Sequence, residues 1–196
     1  MRRLLPLLLL VSLVCPVGSK EVWPPVVGMP YPDLKLVNQD GKQTQLSSFR
    51  GKIILVEPIG MTCPACNAFS DCDQVGGFAG QAQQKDLPSF RRAAQDYGRV
   101  SLPSQEVVFV QLLLYDRAMK PPSLKDAKAW AAHFNLQTSR NEYVLVGKKQ
   151  HQVYELVPGF QLIDRNFVLV SDSTGHSPQH DLYRHLLPML GRLVNS

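Results

Sequence analysis

Cysteines stand at 15, 63, 66 and 72, and Cys63, Cys66 and Cys72 fall within ten residues. A chain stapled for stability spreads its cysteines, because a disulfide constrains the unfolded chain more when it closes a longer loop. A bridge from Cys63 to Cys66 closes almost nothing, which points to chemistry rather than support. Three chemistries fit Cys63-Pro64-Ala65-Cys66: thiol–disulfide exchange, metal binding by soft thiolates, and a short structural crosslink. Zinc wants a second ligand pair, and the chain has no second C-x-x-C. Copper(I) needs only two thiolates and an imidazole, for which His151, His176, His180 and His185 are candidate donors.

What a thiol can do depends on where the chain puts it. Lys52-Ile53-Ile54-Leu55-Val56-Glu57-Pro58 is β-branched and almost wholly apolar, the composition of a central strand buried on both faces. Cys63 follows it directly, and Pro64 suits the first turn of a helix. This spacing predicts a sulfur at a helix N-terminus, where unpaired N–H groups favour the thiolate and lower its pKa from about 8.5 to roughly 3.5–7.5. Cys63 is then the nucleophile, and Cys66, one turn on, is the thiol that resolves a mixed disulfide. Cys72 reads as a buried core thiol or as a second resolving or regulatory one.

Around this motif the elements alternate. Trp23-Pro24-Pro25 and Pro30-Tyr31-Pro32 predict an extended arm, and Asp33–Val37 and Gln43–Leu46 predict a hairpin about Asp40-Gly41. From Asn67 to Tyr97 a helix is predicted, interrupted at 73–85 by a Gly- and Gln-rich insertion expected to be a mobile surface loop beside the motif. Glu106–Tyr115 is a second buried strand, Ser123–Phe134 a helix capped by Ser123, and Tyr143–Val146 a short strand. Phe160–Asp164 and Phe167–Ser171 form a terminal hairpin, and Gln179–Val194 a closing amphipathic helix. The order is that of an α/β domain with one mixed sheet.

Met1-Arg2-Arg3, the apolar run Leu4–Val14 and the small residues Val17-Gly18-Ser19 form a secretory leader over 1–19, leaving a domain over 20–196. The run is too short to span a bilayer and nothing later reaches spanning length, so no transmembrane helix is expected after leader removal. Cys15 ends the run, but Ser12-Leu13-Val14 is a poor lipidation signal because Val is bulky where a small residue is usual. The formal charge of +5 falls to about +3 without Arg2 and Arg3, too weak and scattered for nucleic acid.

With the motif in this context, the chain resembles the thioredoxin-like redoxins of bacterial envelopes, of the TlpA and ResA type with Sco-like relatives. The resemblance covers roughly Val27 to Leu193. It rests on Gly28-Met29-Pro30-Tyr31-Pro32-Asp33-Leu34, Asp40-Gly41-Lys42, Leu46-Ser47-Ser48-Phe49-Arg50-Gly51-Lys52, Cys63-Pro64-Ala65-Cys66 and Pro158-Gly159-Phe160-Gln161-Leu162-Ile163-Asp164. It implies a thioredoxin-like fold, a central mixed sheet flanked by helices with an N-terminal β-hairpin extension. It further implies that Pro158 is the family's cis-proline, which presents the backbone of Val157 to an extended substrate. Glu57, six residues before Cys63, stands where thioredoxins carry a buried acid that helps deprotonate the resolving thiol; if Pro58 instead ends the strand early, Glu57 is hydrated. Thr62 replaces their usual Trp, so Thr62 and Pro64 are expected to line the substrate site. Peroxiredoxins need Thr three residues before the reactive cysteine; Gly60 precedes Cys63 there, so peroxidase activity is not expected. The implied partners are protein thiols and disulfides and a membrane-bound redox donor or acceptor, with no cofactor, in the periplasm or another exported location. The Sco-like relatives keep open a copper-binding assembly factor that uses the same cysteines and a histidine.

Overall fold

The computed structural model of the protein describes residues 23–196, so the leader over 1–19 and Cys15 lie outside the described residues. Two apolar strands carry the sheet. β3 (Ile53–Gly60) and β4 (Val107–Tyr115) are buried along their lengths, as two-sided coverage demands, and pair in parallel from Ile53↔Val107 to Ile59↔Leu113. β5 (Glu142–Val146) continues the parallel set beyond β4; β6 (Gln161–Ile163) and β7 (Leu169–Asp172) add antiparallel strands on the other edge, in the order β5-β4-β3-β6-β7. β1 (Lys35–Val37) and β2 (Gln43–Gln45) form a separate two-stranded hairpin, turned at Asp40-Gly41 where Gly41 takes φ +79°. β3 runs past Pro58: β6 pairs with it only over Ile54–Val56, so the missing proline amide falls beyond the last β6 partner.

Strand alternation sorts the core. Ile54, Val56, Val108, Val110 and Leu112 meet Tyr31, Leu34, Leu36 and Leu46 of the arm and hairpin on one face. On the other face Ile53, Leu55, Val107 and Phe109 pack on Phe90, Phe160 and Leu187 near one end, and Ile59 and Leu113 on Trp130 and Phe134 near the other. Between those two apolar clusters the register sets Glu57 beside Gln111, both wholly buried.

The helices cover that second face. α1 (Pro64–Phe69) carries the motif and α2 (Cys72–Val75) follows after one turn. α3 (Phe90–Ala93) continues as a π-turn to Gly98. α4 (Leu124–His133) begins at a capping box in which Ser123 accepts from the Asp126 amide and the Asp126 carboxylate accepts from the Ser123 amide. The closing helix starts later than its periodicity predicts. Pro178–His180 is a 3-10 turn, Asp181 caps a π-turn over Leu182–Leu186, and α5 proper is Leu187–Val194.

The insertion is less free than its Gly and Gln content predicts. Phe78 packs on Trp130 (5.4 Å between ring centroids) and His133, its amide donates to the Asn67 side chain (2.8 Å), and the Gln84 amide donates to the Pro64 carbonyl (3.1 Å). The segment 73–85 is therefore tied to the motif helix at two points.

Candidate active site

Cys63 is the N-cap of α1: its backbone is extended, Pro64 opens the helix, and the Cys66 amide donates to Cys63 Sγ (3.1 Å). The Cys66 thiol also donates to it. The Cys66 thiol first, then the Cys66 and Ala65 amides, hold the Cys63 thiol below its usual pKa although burial opposes them. Cys66 is pushed the opposite way, first by burial, then by its bond to Cys63 and by the charges of Cys63 and Glu57. Two thiols one helical turn apart thus differ in acidity because Cys66 is the more deeply buried and gives a hydrogen bond, whereas Cys63 receives them. Both are free thiols, as is Cys72, which packs in the same apolar cluster and whose pKa is raised by burial and by Asp73.

Beneath them lies Glu57. Burial pushes its carboxyl up to about 8, against the opposing hydrogen bond from Gln111. Oε2 accepts from Gln111 Nε2 (2.7 Å), whereas Oε1 is buried and unpaired. Gln111 Nε2 also donates to Ser70 Oγ (2.7 Å), Ser70 donates to the Cys66 carbonyl (2.8 Å), and Trp130 Nε1 donates to Gln111 Oε1 (2.8 Å). A chain of hydrogen bonds therefore runs from the acid to the last turn of the motif helix.

The rim is built by loops. The Val157–Pro158 peptide is cis, and Cys63 Sγ donates to the Val157 carbonyl (3.3 Å). A cavity of about 430 Å³ opens beside Pro158, between Ala65 and Phe69 of α1 and Leu156, Phe160, Leu182 and Tyr183. Thr62 is half-buried and bonds Met119 Sδ (3.4 Å). Pro64 is exposed on the first turn. Tyr115 covers Gly60 so closely that a Cβ there would overlap its ring, and burial plus the charges of Cys66 and Cys63 push its pKa up to about 12. The structure therefore gathers Cys63, Cys66, Glu57, Val157 and Pro158, with Thr62 and Pro64 at the edge.

Of the candidate copper ligands His151 and His176, His176 reaches the rim of this site and His151 does not. His151 is buried against Trp23 (4.8 Å between ring centroids), and His176, exposed just before the turn Pro178–His180, lines the cavity beside Pro158 and places Nε2 2.9 Å from the Pro158 carbonyl. Among the described residues, no three His, Cys, Asp or Glu side chains gather as a metal site.

No protein-family model matches the chain, and no curated protein matches it significantly. Solved structures do. A thiol:disulfide interchange protein from a Bacteroides species superposes with a TM-score of 0.52 at 14% identity, over 88% of this chain and 92% of its own. A thiol:disulfide interchange protein of the thioredoxin family from Chlorobium tepidum gives 0.50 at 14%, over 83% and 95%. The fold is thioredoxin-like. At such identities the likeness speaks for the fold alone.

Within this thioredoxin-like fold, three polar residues at the site escaped the sequence reading. Gln111 had a visible signal, as the one polar residue inside Val107–Tyr115. Ser70 and Asn67 had none beyond lying near the motif; Asn67 donates to the Met61 and Cys63 carbonyls (3.3 and 2.9 Å) while accepting from the insertion.

Proposed function

We propose that the protein is an exported thiol:disulfide oxidoreductase acting on protein partners. The observation that carries this reading is the opposed acidity of two adjacent thiols above a buried acid. Cys63, as thiolate, attacks a substrate disulfide; one substrate sulfur bonds Cys63 Sγ and the other leaves as a thiolate that takes a proton from water. Cys66 then gives its proton to the Glu57 carboxylate and attacks Cys63 Sγ. The substrate's second thiolate departs, leaving a Cys63–Cys66 disulfide and a reduced substrate, and the reverse sequence oxidises a dithiol. Val157, with its flanking backbone, offers main-chain groups to an extended peptide, so affinity comes with little demand on sequence. Thr62 and Pro64 border that path.

The Arg2-Arg3 leader supports an exported site of action, and a periplasmic thiol of this kind needs a membrane-bound redox partner to reset it. Among the described residues no helix is long and apolar enough to cross a membrane. No observation favours the copper reading, since His151 faces Trp23 and His176 faces the Pro158 carbonyl. The test is reduction of a peptide disulfide by the purified protein. Cys63→Ser should abolish it, and Cys66→Ser should trap a stoichiometric mixed disulfide on Cys63. Full activity in Cys63→Ser would overturn the assignment.

A further inference from the structure

Gln111 is a fully engaged polar side chain under the motif. It is wholly buried in a strand otherwise apolar, and its amide uses both donors and an acceptor. The indole N–H of Trp130 can only donate, so the atom facing it must be the amide oxygen. The NH2 group must then face Glu57 and Ser70. This orientation follows from chemistry, because a flipped amide would set two donors against each other and leave the carboxylate without one.

The fixed amide distinguishes the two oxygens of Glu57. Oε2 is held by a donor that has no lone pair, so an acid proton on Oε2 would find no acceptor there. Oε1 has no hydrogen-bond partner, the charge of this carboxylate acts on Cys66, and that of Cys63 acts on the carboxylate. We propose that Gln111 is a positioning residue for proton transfer at Cys66: oriented by Trp130 and Ser70, it holds Oε2 of Glu57 and leaves Oε1 to exchange the proton with the Cys66 thiol. The same amide, through Ser70 and the Cys66 carbonyl, fixes the end of α1 relative to the acid. This rests on the exchange mechanism above and assigns it a residue.

A donor to a carboxylate favours its charged form. Replacing Gln111 with Met, of similar volume and without the donor, leaves Glu57 protonated to higher pH, so the base that activates Cys66 is available only at higher pH. The experiment follows the full reduced protein in stopped flow with the aromatic disulfide 5,5′-dithiobis(2-nitrobenzoate). One thionitrobenzoate leaves when Cys63 attacks and a second when Cys66 resolves. In Gln111→Met the midpoint of the second phase should rise by about one pH unit, slowing it about tenfold at pH 7, with a several-fold smaller effect on the first phase. Trp130→Phe keeps a ring but frees the amide, and should move the midpoint the same way by less. In a Glu57→Gln background, Gln111→Met should have no further effect on the pH profile.

An unmoved midpoint in both single variants, or an equal shift in the Glu57→Gln background, would overturn the positioning role. Acceleration of both phases would mark a loosened core in that variant and leave Trp130→Phe to decide. Absence of a second phase in the unaltered protein would instead refute the exchange mechanism itself.

Discussion

Two buried titratable groups, Glu57 and His151, are driven to neutrality by the same force in opposite directions. Glu57 lies under the cysteines, its carboxyl raised to about 8 mainly by burial; His151 lies under the N-terminal arm against Trp23, its imidazole lowered to about 4 by burial and Lys148. Each leaves one polar atom unpaired, Oε1 of Glu57 and Nε2 of His151. The two differ in company. The surroundings of His151 are aromatic, with Trp23 also meeting Tyr31 and Tyr154 edge-on, whereas Glu57 lies under two thiols, raising the pKa of Cys66 and itself raised by the charge of Cys63. Burial alone makes a neutral group; reactivity comes from what the group is coupled to.

The largest test of this contrast is alkaline. An acid whose folded pKa exceeds its unfolded value contributes stability that is intact below the unfolded pKa and is lost as pH rises toward the folded one. The unmodified protein should therefore lose on the order of 3–5 kcal/mol between about pH 4.5 and about 8 from Glu57 alone. Glu57→Gln should flatten that decline in urea melts while slowing resolution by Cys66. A decline that persists in Glu57→Gln would assign it to another group.

The acid limb should belong to His151. With its folded pKa depressed, the unfolded chain binds the extra proton between pH 6.5 and about 4, so stability falls as pH drops through that window. His151→Phe should remove roughly 1–2 kcal/mol of that slope and leave the alkaline limb alone. Trp23→Ala should have a smaller effect of the same kind. By opening the pocket to water it should return the imidazole toward 6.5, visible as a shifted ring resonance in an NMR titration.

The smallest effect concerns the third thiol. Cys72 is buried among the same side chains as the motif, but among the described residues its pKa is set by burial and Asp73 rather than by donors such as the Cys66 groups that lower Cys63. Cys72→Ala should change peptide-disulfide reduction by less than about twofold, and Cys72 should be alkylated far more slowly than Cys63 at pH 7. A large loss of turnover would make it part of the exchange path.

Much of this was legible in the chain. The apolar run before Cys63 forced a central strand, and Pro64 forced the first sulfur onto a helix cap. The burial of Glu57 was only half written there, since Pro58 could have ended the strand and left the carboxylate hydrated; β3 running on to Gly60 buries it. Gln111 was written plainly, yet period and hydrophobicity register an apolar strand without asking what one amide inside it must bond. The rest depended on distant contacts. His151 is buried because an arm more than a hundred residues earlier folds over it, and Phe78 anchors a segment whose composition reads as loop because it finds Trp130 on another helix. Local propensity carries no record of such partners.

The bond from Cys63 Sγ to the Val157 carbonyl has one more consequence. A carbonyl cannot donate, so this contact exists only while the sulfur keeps its proton. An extended peptide aligning on Val157 would call on the same oxygen with its own amide. Proton and peptide are therefore rivals for a single lone-pair site, and loss of the proton both arms the nucleophile and vacates the seat its substrate takes. The apparent KM for a peptide disulfide should accordingly fall as pH rises through the titration of Cys63, while that for a small disulfide without a backbone should stay level.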